Sequence, residues 1–233
     1  MSQSPNLHLH ESKDSQESGI RPRRVPVQAR SRERVQRILD AAAHLLTEEG
    51  YNSVKTNLIA KRAGVSIGSV YQFFPNRYAI INALGERYQS KVAQVLMMYM
   101  GPDAPDDRHW DETLAEVIDI LAEMWHDDWA FHSVWLAIRS TTELQESDIL
   151  FRENLIDSLL VNFWKKVIPG KDDTQLKTIA RVIFEISNLM LDHSMRNGKK
   201  QDELIVDELQ FILHSYVTSH ISTANNLTDE SDY

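Results

Sequence analysis

Apolar residues recur at three- and four-residue intervals along most of the chain, and no segment alternates in the manner of a half-buried strand. Val35, Ile38, Leu39, Ala42, Leu45 and Leu46 form the first stripe, with Ser31 placed to cap it and Gly50 to stop it. Two short helices are expected within residues 55–74. Asn76 is then placed to cap a long helix to about Met100, striped by Ile81, Leu84, Tyr88, Val92, Val95 and Tyr99. Gly101-Pro102-Asp103-Ala104-Pro105 breaks the pattern. Asp111 is the expected cap of the next helix, and further helices follow over about 128–140 and 146–167. Asp172 and Gln175 read as a capping box opening a helix that Gly198 ends, and the last helix covers about 202–222. The periodicity therefore predicts an all-α fold of about nine helices: an N-terminal three-helix unit followed by a C-terminal helical bundle. The expected divisions are a disordered basic arm at 1–30, a compact unit at 31–77, a helical domain at 78–222 and a disordered tail at 223–233.

Charge sharpens this division. The net charge of −9 hides an asymmetry: residues 21–77 carry eleven Arg or Lys against four acids, whereas residues 78–233 carry 13 basic and 27 acidic side chains. One end attracts a polyanion and the other repels it. The basic residues Arg21, Arg23, Arg24 and Arg30 lie in the arm, where they are candidates for a DNA minor groove or for non-specific attraction. With no Cys in the chain, disulfides, thiolate nucleophiles and Cys-based zinc sites are excluded. No apolar run reaches the roughly 20 residues needed to span a bilayer, and the N-terminus lacks a secretory core, so a cytoplasmic, non-membrane protein is expected. Neither a nucleophile elbow, a phosphate-binding Gly loop nor an HExxH motif occurs, which argues against an enzyme and against a cofactor.

The informative stretch is Lys55-Thr56-Asn57-Leu58-Ile59-Ala60-Lys61-Arg62-Ala63-Gly64-Val65-Ser66-Ile67-Gly68-Ser69-Val70-Tyr71-Gln72-Phe73-Phe74. Thr56 and Ser66 are placed to cap two helices. Ala60 is small where they must cross, Gly64 suits a left-handed turn, and Val70 plugs the angle between them. That pattern is the physical requirement of a helix-turn-helix.

From RVQRILDAAAHLLTEEGYNSVKTNLIAKRAGVSIGSVYQFFPNRYAIINAL, the chain resembles the DNA-binding domain of TetR-family repressors over about residues 33–84. The resemblance implies a transcriptional regulator, usually a repressor, bound to double-stranded DNA at a palindromic operator. The second motif helix would be the recognition helix, with Ser66, Ile67, Gly68, Ser69 and Gln72 at the bases and Tyr71 on a phosphate. Gln72 can pair with adenine and Ile67 can pack on a thymine methyl. Thr56 and Asn57 would meet a phosphate, as would Arg77, which stands where the family usually has Lys.

One short recognition helix specifies little, so two copies one DNA turn apart are expected, built into a homodimer by the last two helices. In the first, Ile179, Ile183, Ile186 and Met190 mark one face and Val182, Leu189 and His193 another; in the second, Ile205, Leu209, Ile212 and Tyr216 form one stripe that Leu204, Phe211 and His214 widen. The region between is rich in aromatic residues. Trp125, Trp129, Trp135 and Phe163, with Arg139 and Asn188 as polar handles, are the candidates for a site taking a small hydrophobic or aromatic effector. Arg139 is the candidate for an anionic group. His126, His132 and His193 have poor spacing for one ion, so no metal is expected. The competing reading is a lipid- or partner-binding helical module that does not read DNA sequence.

Overall fold

In a computed structural model of the chain, the described residues are 19–22, 29–105, 108–128, 130–194 and 199–229, with side chains described up to residue 222 apart from 199–202. The helices are α1 (Ala29–Glu49), α2 (Thr56–Ala63), α3 (Ile67–Phe73), α4 (Arg77–Met100), α5 (Trp110–Asp127), α6 (Phe131–Arg139), α7 (Thr142–Leu155), α8 (Val161–Val167), α9 (Asp173–Ser194) and α10 (Lys199–Asp229). A π-helical turn, Ile156–Leu160, joins α7 and α8 into one rod. Counted so, nine helices lie among the described residues, with no strand, and the all-α expectation holds.

Several expected boundaries move. α1 starts before Ser31, at Ala29 within the expected arm. Residues 19–22 of that arm are placed against the fold: Asn76 Nδ2 donates to the Gly19 carbonyl at 2.7 Å, and Ile20 packs on the core. Arg23 and Arg24 lie outside the described residues, as does Gly198. His109, not Asp111, occupies the cap position of α5, and Asp111 instead meets the His109 ring at 2.6 Å and accepts from the Glu112 N–H. α10 continues seven residues beyond Ser222 into the expected tail, because neither Gly nor Pro follows residue 198.

α4 is the axis of the molecule. It packs on α1 at its start and on α5, α6, α7 and the π-turn further along. Its first half is therefore buried on nearly every side: Ala79, Ile80, Ile81, Asn82, Leu84, Gly85 and Tyr88. Asn76 caps it by accepting from the Ala79 N–H at 3.0 Å. Arg87 ties it to α1 through Asp40 at 2.7 Å. α6 crosses it at Gly85, where a Cβ would lie 2.4 Å from Ile138 Cδ1. An added methyl group would force the end of the Ile138 side chain to move.

The capping box at α9 forms as expected, Gln175 N–H to Asp172 Oδ1 at 2.8 Å and Asp172 N–H to Gln175 Oε1 at 3.1 Å. Inward faces match the expected stripes in part: Ile179, Ile183 and Leu209 are buried, whereas Ile186, Met190 and Tyr216 are half-buried. In α9 the buried line is Leu176, Ile179, Ile183, Ser187 and Leu191. In α10 it is Leu209, Leu213 and Val217, while Ile212 turns outward.

The contact at Gly85 is testable by a double-mutant cycle. Gly85→Ala should destabilise the protein by about 1–3 kcal/mol through overpacking. In an Ile138→Val background, which removes Cδ1, the same change should be close to neutral. Urea unfolding of the four proteins measures the coupling.

Candidate nucleic-acid interface and ligand cavity

The helix-turn-helix is held by backbone geometry first. α2 ends in a left-handed Gly64, φ 63° and ψ 40°. The Val65 N–H reaches the Ala60 carbonyl at 3.0 Å and the Gly64 N–H the Lys61 carbonyl at 3.3 Å, the paired bonds of a Schellman ending. Arg37 of α1 completes it: Nη2 donates to the carbonyls of Ala63 at 2.5 Å and Gly64 at 3.1 Å. Ser66 then caps α3, accepting from the Ser69 N–H at 3.1 Å, and the two hydroxyls lie 2.9 Å apart. Ile59, Ala60 and Ala63 face Val70, Phe73 and Phe74 in the buried interior.

That burial leaves the other side of α3 to solvent. Ile67 is 46% exposed and Tyr71 42%. Gly68 and Gln72 are exposed with them, and Ser69 is half-buried. At Gly68 the nearest atom to an added Cβ is Ser66 Oγ at 3.9 Å, so folding does not require glycine there.

Thr56 is not a capping side chain: Lys55 holds the cap position of α2, and the Thr56 hydroxyl instead lies 3.1 Å from the Tyr71 hydroxyl, linking the two motif helices at their exposed edge. Asn57 is exposed and accepts from the Leu58 N–H. Arg77, half-buried, lies 4.9 Å from the Tyr51 ring centre and 5.0 Å from that of Tyr78. A hydrogen bond to the Tyr78 hydroxyl raises its pKa above the ordinary arginine value. Lys55 and Lys61 are exposed cations on the same motif that motif reading did not single out.

Behind α4 lies an apolar cavity of about 70 Å³. Its walls come from α4, α5, α6, α9 and the α7–α8 rod. Trp125, Trp135 and Asn188 of the expected set line it; Phe163 and Arg139 do not. Phe163 stacks edge-on to Trp164, which does line the cavity. Arg139 is exposed, with its guanidinium carbon 6.0 Å from the Trp135 ring centre. Trp129 lies outside the described residues. Tyr88, Gln89, Phe131 and Phe184 are further lining residues. The signal for Gln89 was a polar residue next to the apolar stripe of the long helix.

Several polar side chains around the cavity are internally paired. Tyr88 donates to Asp128 at 2.9 Å, and burial pushes its phenol up to about 12, so it keeps its proton. Gln89 donates to Asp148 at 3.2 Å, and Arg152 Nε lies 3.2 Å from the same carboxylate. Burial raises the Asp148 pKa even with Arg152 and Gln89 opposing it. His132 sits 3.1 Å from Asp192, and among the described residues no three metal-ligating side chains converge. No described helix is long and apolar enough to cross a membrane.

Two family models fit the chain: bacterial regulatory proteins of the tetR family over residues 38–84, and the tetracyclin repressor-like C-terminal domain over residues 108–221. The chain belongs to the TetR family of bacterial regulators. It is 27% identical to a solved TetR-family transcriptional regulator from Streptomyces coelicolor, with a TM-score of 0.60 over 80% of this chain and 99% of that one. Against the transcriptional repressor KstR of Mycolicibacterium smegmatis it is 37% identical over 59 residues, 25% of this chain and 29% of KstR. Against the fatty acid metabolism regulator protein of Bacillus subtilis it is 30% identical over 128 residues, 55% of this chain and 61% of the relative. Both matches span less than two thirds of those relatives. As a TetR-family member the chain is a helix-turn-helix regulator of transcription, in a family of DNA-binding proteins rather than enzymes.

The left-handed turn of this regulator makes a direct prediction. Gly64→Val places a β-branched side chain at positive φ and a Cβ 2.9 Å from Arg37 Nη2. It should lower stability by about 2 kcal/mol or more, seen as a reduced urea midpoint.

Proposed function

We propose that this protein is a homodimeric, cytoplasmic repressor that binds a palindromic operator through two copies of α3 and releases it when a small apolar ligand fills the cavity behind α4. The exposed face of α3 carries this reading. Ile67, Gly68, Ser69, Tyr71 and Gln72 lie opposite the buried Val70 and Phe73, so the helix has a presented side with no duty in the core. Gln72 and Ile67 contact base edges, and Ser66 and Ser69 reach the groove wall. Tyr71 is held in place by Thr56 and meets a phosphate, with Asn57, Arg77 and Lys55 adding phosphate contacts. Residues 31–77 form the DNA-binding unit and 78–222 the ligand-binding and dimerisation unit, with α4 belonging mechanically to both.

The partner for dimerisation is a second copy of α9 and α10. Leu189 is 62% exposed, Leu204 60% and Phe211 67%, although both helices already bury another face in their own bundle. Large apolar side chains on two packed helices outside a core mark an interaction surface.

The cavity wall and the recognition unit share α4. Its volume of about 70 Å³ is well below the roughly 300 Å³ of ordinary ligand sites, so a ligand must widen it. Widening displaces α4 against α6 at Gly85 and, through Arg87–Asp40, against α1, changing the spacing of the two α3 helices. Moving from almost wholly bound to almost wholly released takes about 5 kcal/mol of differential ligand affinity between the two states.

Selection from a random DNA pool at near-physiological salt should enrich a palindrome with the native protein and fail with Tyr71→Ala and Gln72→Ala. Gly68→Ala separates fold from function: it should raise stability by up to about 1 kcal/mol yet weaken operator binding, because the added methyl intrudes where DNA approaches. No enrichment by the native protein would overturn the reading. Independently, Phe211→Glu should convert a dimer to a monomer in sedimentation equilibrium and abolish palindrome binding, with helix content unchanged by circular dichroism.

A further inference from the structure

The lining of the cavity specifies a chemistry more narrowly than apolarity does. None of its side chains is charged. The charges just behind it are already matched: Asp148 with Arg152, Arg152 with Glu185, and Asp128 with Lys91. A buried ion would find no counter-ion among the lining residues themselves.

Four hydrogen-bond donors of the lining residues are satisfied within the protein. The Tyr88 hydroxyl donates to Asp128, the Gln89 amide to Asp148, the Ser187 hydroxyl to the Ile183 carbonyl at 2.8 Å and the Asn188 amide to the Phe184 carbonyl at 2.8 Å. Two indoles differ. Trp135 Nε1 and Trp164 Nε1 are both buried and neither has a hydrogen-bond partner, although Trp164 is only 1% exposed and both residues line the cavity. An indole N–H donates only, and buried donors are rarely left unmatched without a reason.

We propose that the effector is an uncharged, largely aromatic molecule carrying at least one hydrogen-bond acceptor, such as a ketone, ester or ether oxygen, which the indole N–H of Trp164 or Trp135 engages, and that carboxylates are excluded. This rests on the reading of the cavity as the effector site, and it narrows that reading from any hydrophobic compound to neutral acceptors. Edge-on packing of Trp125 against Trp135, with ring centres 5.7 Å apart, and tilted packing of Trp125 on Phe131 at 4.7 Å supply the flat apolar surfaces such a ligand needs. The acceptor oxygen supplies what those surfaces lack.

The test uses three probes of similar size with the full-length protein: 2-acetylnaphthalene (neutral, acceptor), 2-ethylnaphthalene (no acceptor) and 2-naphthoate (anion), with binding measured by titration calorimetry. The ketone should bind about tenfold more tightly than the hydrocarbon, and the carboxylate roughly a hundredfold less tightly than the ketone. In Trp164→Phe or Trp135→Phe the preference for ketone over hydrocarbon should collapse; because it is a ratio within one protein, a general loss of stability does not imitate it. In ¹⁵N spectra of the native protein the missing indole N–H resonance, identified from the Trp→Phe variants, should move downfield on adding the ketone only. Equal binding of ketone and hydrocarbon, a naphthoate that binds as well as the ketone, or no binding by any probe would each overturn the proposal. Release of operator DNA is scored separately. A ketone that binds without releasing DNA supports the ligand class and defeats the switch; a naphthoate that binds and releases DNA supports the switch and defeats the ligand class.

Discussion

The constraint on which the rest of the molecule depends is that one helix must be buried by two different bodies. α4 enters the chain at the cap supplied by Asn76, beside the recognition unit, and leaves as a wall of the cavity. An amphipathic helix with one apolar stripe cannot do this. α4 carries apolar or small residues around most of its first half, and glycine where the end of the Ile138 side chain of α6 fills the space a methyl group would take. The two ends are thereby parts of one stiff body, and neither can shift without the other responding.

The recognition unit follows a different logic. Its geometry comes from short-range bonds that local sequence dictates: a left-handed Gly64, a Schellman pair of bonds, and a serine cap on α3. Arg37 adds a long-range bond by reaching from α1 to the carbonyls that end α2. A turn fixed in this way presents the side chains of α3 with little freedom, which is what selective contact with base edges demands.

This contrast explains what could be read from the sequence. Caps, glycine turns and helix periods obey rules spanning four residues, so Gly64, Ser66, Asn76 and the Asp172–Gln175 box were legible. Competition between neighbouring candidates was less so: Thr56 found Tyr71 instead of its own backbone, and His109 took the place expected of Asp111. The cavity depends on which faces of five separate helices converge, and no local rule reports that. Trp125, Trp135 and Asn188 were found through composition, while Arg139 was misplaced because a cation at the end of an aromatic helix looks the same in sequence whether it turns in or out. In the structure its guanidinium carbon lies 6.0 Å from the Trp135 ring centre, outside the cavity lining.

The small volume of the cavity has a consequence in time. A ligand that cannot enter until aromatic walls part binds no faster than those walls open, and leaves no faster than they reopen. Under the proposed reading, the packing of Trp125 against Trp135 and Phe131 therefore couples capture of the effector to the parting of these rings.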